Sequence, residues 1–281
     1  YFYNRMVTSD SSRLLYCAEI NGRRNLYLME LATGDAVQLT EGDALDDYGA
    51  MISADDKSVY YQQDRKVWKL DLATLQRTCL YAAPDGWDCG NWGMSDDNRY
   101  LVMTETRRDT LPDLTGKKGW EFFPLTCAAK PLCHIVYLDT QTGEHHIVVE
   151  DRCWFGHAQL RPGDPDTILF CHEGPYDMID ARLWLIQSDG SRYRCARPQP
   201  KDVIITHEFW MPTGDRLASV YRTADDGSTE TIRMMRPETL EEELFMPCLP
   251  YAHFICDRQR RWFVGDCQGQ ETPIHLRSEE R

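Results

Sequence analysis

The sequence predicts an all-β protein of the β-propeller class, and two observations carry this prediction. One unit recurs along the chain: a polar turn, an apolar strand, a gap, and a second strand that ends in an acidic turn with Thr or Gly. The units are spaced by roughly 40 to 50 residues, the period of propeller blades built from four strands. Clear copies begin at Ser11, Ala54, Ser95, Pro162 and Pro212, and a weaker copy begins at Asp257. We therefore expect about five to six blades in a single domain over residues 1–281.

The strands and turns of a unit follow from their composition. The stretches LYLMELATGD and VYLDTQTGE each lead a strand into a tight turn, in which Gly supplies a positive φ. Sheets repeated radially in this way leave only short edges exposed. No segment with helical periodicity is long enough to indicate a second, α/β domain.

One interval between units is longer than the others, and the excess falls at residues 107–132. This stretch, RRDTLPDLTGKKGWEFFPLTCAAKPL, is rich in Pro, Lys and aromatic residues. It predicts a long loop or a small helical excursion on one face of the propeller. Loops of this length are often lids or binding loops, but a structural cover over a blade edge fits the composition equally well.

Composition excludes several classes of partner. Lys and Arg number 31 against 45 Asp and Glu, and the formal net charge of −14 disfavours nucleic acid and anionic membrane surfaces. No apolar run approaches 18 residues, so no membrane span is predicted. The eleven cysteines include no CxxC pair, which favours reduced cytosolic thiols over disulfides or a zinc site. An anionic sugar would need a locally positive pocket.

Histidines lie beside the apolar strands of four successive units. They are His157, His172 (followed by Glu173), His207 and His253, and Arg182 stands directly before the strand LWLI. Because the inner strands of a propeller converge on a central channel, we expect these side chains to share one cavity. A simpler reading stays open, in which each histidine bonds the backbone of a neighbouring blade and Arg182 pairs with Asp177 or Asp180.

The remaining histidines carry no predicted chemistry. His145 and His146 match a solvated turn that enters an outer strand, and His134 and His275 are interpreted in the same way. The chain has no HExxH, no GxSxG and no glycine-rich phosphate loop. Metalloprotease, α/β-hydrolase and P-loop functions therefore lack support.

Several blocks of the sequence resemble the oligogalacturonate lyase family. They are FCHEGPYDMIDARLWLIQSDG, the flanking GHAQLRP and ITHEFWMPTGDRLASV, and YFYNRMVTSDSSRLLY, NLYLMELATGDAVQLTEGD and FICDRQRRWFVGD. They occur in family order along nearly the whole chain, and the HEGP-to-DARLW block and HEFW are unlike generic propellers.

The resemblance implies a seven-bladed propeller and a cytoplasmic enzyme that cleaves short pectin fragments, of the digalacturonate type, by β-elimination with a divalent metal, most often Mn²⁺. By the same resemblance, His207 is the Brønsted base, Arg182 is a catalytic or substrate-carboxylate contact, and His253 is a metal ligand. We place His157, His172 and Glu173 near the substrate. A neutral imidazole is suited to proton abstraction, and a guanidinium to a bidentate carboxylate contact.

The chain departs from the family at both ends. It starts without the opening segment, lacks room for a seventh blade, and ends in QGQETPIHLRSEER without the Gln and H-x-H that complete the family's metal site. We expect either a piece of a longer protein or a decayed homologue, with weak or absent metal binding and little lyase activity if the chain is complete.

Two other functions remain open at the level of sequence. One is a catalytically inactive propeller that binds uronate oligosaccharides. The other is a TolB-like propeller used for protein contacts. Binding of galacturonides without turnover would favour the first, and no affinity for galacturonides would favour the second.

Overall fold

The structure, a computed structural model, describes residues 5–42, 45–223, 231–247, 251–257, 261–267 and 274–278. Of these, residues 46–48, 245–247, 251–253, 266–267 and 274–278 are described by their backbone alone. The strands are β1 (Arg13–Ile20), β2 (Arg23–Glu30), β3 (Ala36–Gln38), β4 (Leu45–Ile52), β5 (Ser58–Gln63), β6 (Lys66–Asp71), β7 (Arg77–Ala82), β8 (Trp87–Met94), β9 (Tyr100–Arg107), β10 (Leu132–Asp139), β11 (His145–Arg152), β12 (Phe155–Arg161), β13 (Asp164–His172), β14 (Leu183–Gln187), β15 (Arg194–Cys195), β16 (Val203–Trp210), β17 (Leu217–Thr223), β18 (Thr231–Met235), β19 (Glu242–Pro247), β20 (Tyr251–Cys256), β21 (Trp262–Cys267) and β22 (Ile274–Ser278). The one α-helix within these residues is α1 (Phe122–Ala129).

Within the described residues the strands form six antiparallel sheets, each built from strands consecutive in the chain. The first sheet is β1–β3, the second β4–β7, the third β8–β11, the fourth β12–β15, the fifth β16–β19 and the sixth β20–β22. In each sheet every strand pairs with the next one along the chain, which is the order that short hairpin turns impose. The predicted all-β class is confirmed, and the sheets are antiparallel.

The sheets contact one another through their first strands, which we call the inner strands. The first strand of one sheet contacts the first strand of the next, from β4 to β8, β8 to β12, β12 to β16 and β16 to β20. Apolar clusters fill the joints between sheets: Leu101 and Met103 pack toward the second sheet, whereas Val102 packs toward the fourth. Because side chains alternate along a strand, a sheet that lies between two others, such as the third, is buried on both faces.

Hydrogen bonds between turns tie neighbouring sheets together at one end. The amide of Gly163 donates to Asp96 Oδ2 at 3.0 Å, which links the fourth sheet to the third. Arg161 Nε donates to the carbonyl oxygen of Gly214 at 2.6 Å, which links the fourth sheet to the fifth. The acidic and glycine-containing turns that revealed the repeat therefore also fix the spacing of the sheets.

Gly214→Ala is expected to lower the free energy of unfolding by about 2 to 5 kcal/mol. Gly214 has φ +69°, a left-handed conformation that costs an L-residue about 1 to 2 kcal/mol, and a methyl there would overlap the carbonyl oxygen of Pro162. Overpacking of this kind adds about 1 to 3 kcal/mol. The matched control is Gly163→Ala, because Gly163 has φ +74° but open space around its Cβ position. Equal losses for the two variants in urea unfolding would contradict the steric part of this prediction.

Residues 107–132 leave the third sheet between β9 and β10 and return after α1. Phe122 and Phe123 of α1 contact Trp154, with ring centroids 6.2 and 5.4 Å apart. Cys127 lies against Gly174, where an added Cβ would meet its side chain. The excursion therefore covers the start of the fourth sheet, beside the loop that follows β13. No helix in the described part of the chain is both long and apolar enough to cross a membrane.

The interpretation of His134 as a solvated residue is wrong. Its side chain is buried in β10, its Nε2 lies 2.5 Å from Glu105 Oε2, and its ring stacks on Trp87 with centroids 3.9 Å apart. The physical reason is that β10 is an interior strand of the third sheet, covered on both faces. A polar residue inside such a strand is buried and needs a partner.

Candidate active site

Two histidines on neighbouring inner strands adopt a backbone conformation that is rare for residues other than glycine. His157 in β12 has φ +52° and His207 in β16 has φ +55°. Among the described residues they are the only non-glycine positions inside a strand with positive φ. Such conformations cost of order 1 to 3 kcal/mol and cluster at functional sites.

The cause of this conformation is a β-bulge at the same place in both sheets. His157 and Ala158 face the single residue Phe170, because Gly156 pairs with Cys171 and Gln159 with Leu169. In the fifth sheet His207 and Glu208 face Ser219 in the same way. A bulge bends the strand and redirects its side chains, so the repeat delivers two histidines at equivalent positions of adjacent sheets.

Glu208 lies at the centre of a buried ionic network, which consists of His157, Glu173, Arg182 and Glu208. Arg182 Nε donates to Glu208 Oε2 at 2.7 Å, and its Nη2 donates to Glu208 Oε1 at 3.3 Å. Arg182 Nη1 donates to Glu173 Oε2 at 3.1 Å. His157 places Nδ1 3.0 Å from Glu208 Oε1 and Nε2 3.1 Å from Glu173 Oε1.

Local sequence explains how the fourth sheet assembles its share of this network. Glu173 follows β13 and Arg182 precedes β14, and the amide of His172 donates to the carbonyl of Arg182 at 3.0 Å, which closes the loop between them. Gly156 is required beside Glu173, because a Cβ there would meet the glutamate side chain at 2.6 to 3.0 Å. The FGH and HEGP motifs therefore fit each other sterically.

The positive and negative charges of the network compensate one another in a site shielded from water. The side chains of Arg182 and Glu208 are 7% and 0% exposed, so unpaired charges here would be very costly. Burial alone would raise the pKa of Glu208, but Arg182 and His157 outweigh it and hold that pKa well below its usual value. Burial likewise opposes ionisation of Glu173, yet Arg182 and His157 leave its pKa lowered. Both carboxylates are therefore ionised at neutral pH.

Both ring nitrogens of His157 face carboxylate oxygens. A neutral imidazole has one N–H and one acceptor nitrogen, so it could donate to only one of the two glutamates. An imidazolium donates to both. With His157 in that form, two cations and two anions compensate one another.

The structure brings three of the predicted site residues together, and His172 lies apart from them. His157, Glu173 and Arg182 belong to the network, and His207 precedes its member Glu208 in the chain. His253 lies in β20, the strand next to β16, but its side chain is outside the described residues. Arg182 pairs with glutamates rather than with Asp177 or Asp180.

His172 lies apart from the network, among aromatic rings. It stacks on Trp184 with centroids 4.4 Å apart and on Phe155 at 5.6 Å, and its Nε2 lies 3.0 Å from Tyr193 Oη. Because successive residues of a strand face opposite sides, His172 and Glu173 diverge. Burial lowers the pKa of His172 to about 4.

Acidification is expected to destabilise the fold through His172. Its pKa is about 4 in the folded state and about 6.5 in an unfolded chain, so the unfolded chain binds the proton more readily. Stability is therefore lost as pH falls from about 6.5 to about 4, by on the order of 3 kcal/mol. Urea unfolding across this range should show a weaker pH dependence for His172→Phe than for the wild type. His145→Gln, an exposed histidine variant, should keep the wild-type dependence; the same dependence in His172→Phe would contradict the assignment.

One group of side chains in the described residues has the proximity of a metal site. Ligand atoms of His157, Cys171 and Glu173 lie within 4.8 Å of one another. However, Glu173 is paired with Arg182, and both nitrogens of His157 face carboxylates. Burial also raises the pKa of the Cys171 thiol well above its usual value. This group does not fit Mn²⁺, which favours oxygen and imidazole donors over thiols.

Glu208, a member of the network, and Gln159, which bonds to its backbone, have no predicted role in the sequence. Glu208 stands in HEFW beside the predicted base, and Gln159 stands in GHAQL. Gln159 Nε2 donates to the carbonyl oxygen of Glu208 at 2.9 Å across the joint between the fourth and fifth sheets. What links these two residues is the equivalence of the two bulges. Gln159 lies two residues beyond the positive-φ histidine of the fourth sheet, and Glu208 directly follows that of the fifth.

Comparisons with known proteins identify the relatives of this chain. The family model described as oligogalacturonate lyase matches residues 1–280. The chain is 36% identical to an oligogalacturonate lyase of Dickeya dadantii (strain 3937), over 99% of this chain and 71% of that protein. A solved structure of an oligogalacturonate lyase in complex with manganese superimposes with a TM-score of 0.92 at 34% identity, over 100% of this chain and 74% of the other.

A more distant likeness concerns the fold alone. A β-propeller domain from Myceliophteria thermophila superimposes with a TM-score of 0.55 at 12% identity, over 84% of this chain and 65% of that one.

Proposed function

Because the chain belongs to the oligogalacturonate lyase family, we propose that this lyase cleaves short pectin-derived galacturonides by β-elimination and releases an unsaturated uronate. The observation that carries the proposal is His207, held with positive φ on an inner strand next to a buried ionic network. We further propose that the six sheets are blades of a seven-bladed propeller and that the protein acts in the cytoplasm, as the family resemblance implies.

The proposed chemistry follows from the acidity of the substrate. The C5 proton lies α to the uronate carboxylate and is very weakly acidic until that carboxylate is neutralised. His207, acting as the base, takes the C5 proton; the electron pair forms the C4=C5 double bond, the C4–O bond breaks, and the departing oxygen takes up a proton. General bases of this type contribute about 10²- to 10⁴-fold to a rate.

A divalent ion, Mn²⁺, is proposed as the cofactor, supported by the manganese complex of the similar lyase. His253 would be one ligand, since imidazole is a donor that such ions accept and β20 contacts β16, the strand that carries His207. When bound, the ion would stabilise negative charge that develops on the uronate carboxylate. The group formed by His157, Cys171 and Glu173 is not proposed as its site.

The test uses digalacturonate and Mn²⁺, with metal analysis of the protein and absorbance at the unsaturated-uronate band. A rise in absorbance supports the lyase, and rapid turnover overturns the expectation of weak metal binding and little activity that applies to a complete chain. Binding of digalacturonate without an absorbance change would favour the inactive uronate-binding propeller. No binding at all would favour the protein-contact propeller and contradict the proposal.

A further inference from the structure

We propose that Glu208 positions the base His207, and that Arg182 and His157 serve catalysis by holding Glu208 rather than by contacting the substrate. This inference rests on the proposed function, because it assigns the network to the same site. It is carried by the contacts of Glu208, the conformation of His207 and the occupied guanidinium of Arg182.

Glu208 is anchored to the neighbouring sheet through both its side chain and its backbone. Its carboxylate accepts from Arg182 and lies 3.0 Å from His157 Nδ1, and its carbonyl oxygen accepts from Gln159. All three partners belong to the fourth sheet or the loop directly before β14, whereas Glu208 lies in the fifth. The residue therefore cannot rotate or shift without breaking contacts across the joint.

His207 directly precedes this anchor and has the strained φ of +55°. A conformation of this kind persists only when its surroundings fix it from several sides. Thr206 is held by its pairing with Val220, and Glu208 by the fourth sheet. Together they fix the backbone on both sides of His207, and hence the direction in which its side chain leaves the backbone.

Arg182 is already fully committed along its fork-shaped edge. Nε and Nη2 bind the two oxygens of Glu208, and Nη1 binds Glu173. A bidentate grip on a substrate carboxylate uses this same edge. Since the side chain is only 7% exposed, the structure assigns Arg182 to holding Glu208.

The first experiment compares kcat and KM for digalacturonate. Glu208→Gln keeps the shape but places an NH2 group against Arg182 or His157, and we expect kcat to fall about 100-fold, the effect of a misplaced catalytic group, with KM within about twofold. Glu242→Gln is the matched control, because Glu242 of the fifth sheet also pairs with a buried arginine, Arg197, which follows β15 of the fourth sheet. We expect it to keep the wild-type kcat.

The second experiment separates positioning from direct substrate contact. If Arg182 acts through Glu208, the double variant Arg182→Met with Glu208→Gln should lose no more kcat than the worse single variant, because residues that act as a unit are non-additive. The proposal would be overturned if Arg182→Met raised KM and if the effects of the two substitutions multiplied in the double variant. Gln159→Met removes only the hydrogen bond to the backbone carbonyl of Glu208 and should also lower kcat. This variant replaces Glu208→Gln in the test if Glu208→Gln does not fold.

A third readout does not depend on turnover. In protein labelled with ¹⁵N-histidine, the ring signals of His207 are assigned by comparison with His207→Gln. We expect one set of signals in the wild type and broadened or doubled signals in Glu208→Gln. Unchanged signals would show that Glu208 stabilises the fold without orienting His207. If the wild type failed to turn over galacturonides yet gave the expected signals, the proposed function would fail and the positioning role would stand.

Discussion

His207→Ala is expected to lower kcat for digalacturonate by about 10²- to 10⁴-fold, the contribution of a positioned general base. The side chain of His207 is partly buried on the inner strand β16, and truncation removes the group that would take the C5 proton. The ground-state substrate gains little from a base that acts only in the transition state, so KM should stay within a few-fold. Initial rates at the unsaturated-uronate band measure both constants.

Two controls separate loss of the base from loss of the fold. His145→Ala, an exposed histidine on β11, should keep the wild-type kcat. Added imidazole should restore part of the activity of His207→Ala, because a small base can enter the space that the truncation leaves. If His207→Ala kept more than about a tenth of the wild-type kcat, another residue would have to be the base.

The repeat could be predicted from sequence because its causes are local. Alternating apolar residues, acidic turns and turn glycines specify strands and hairpins within each unit. The sequence also placed His157 and His207 beside apolar strands of successive units. The structure adds that both lie in bulges of the same kind.

The pairing of Arg182 could not be predicted in the same way. Candidates close in sequence, Asp177 and Asp180, were the only ones that a linear pattern suggested. The actual partner Glu208 lies 26 residues further along the chain, in the next sheet. A contact between sheets depends on how β12 packs against β16, and the hydrophobic pattern of one strand carries no information about it.

The burial of His134 could have been predicted from the residues around it. In LCHIVYLD the apolar residues occupy both faces of the strand, which is typical of a strand covered on both sides. A histidine within such a run is therefore buried whichever face it occupies. Its burial could have been predicted; its partner Glu105, on the adjacent strand β9, required the register.

Arg182→Met is expected to lower the free energy of unfolding at neutral pH by about 3 to 5 kcal/mol, the usual cost of removing one partner from a buried ion pair. The variant leaves Glu173 and Glu208 facing each other across His157 without the guanidinium that compensates them. Urea unfolding measures the loss. Arg108→Met is the matched control, since Arg108 and its partner Asp88 are 45% and 43% exposed, and exposed pairs contribute about 0 to 1 kcal/mol.

The loss in Arg182→Met should depend on pH in a stated direction. In the wild type Arg182 helps to hold the pKa values of Glu173 and Glu208 down, so their contribution is present above the ordinary glutamate pKa and is lost as pH falls. In the variant, burial acts with less opposition and raises both pKa values. A carboxyl group with a raised folded-state pKa destabilises the protein as pH increases. The deficit relative to wild type should therefore be larger at pH 8 than at pH 5, and a deficit independent of pH would contradict this account.

Neutralising Arg182, Glu173 and Glu208 together separates stability from function. Replacing a buried ionic group together with its partners is often neutral or stabilising, so adding Glu173→Gln and Glu208→Gln to Arg182→Met should recover much of the lost stability. Activity should not return, because amides cannot hold His207 as the charged network does. Recovery of both would mean that the network serves the fold alone; recovery of stability without kcat would show that the lyase retains these buried charges for the placement of its base.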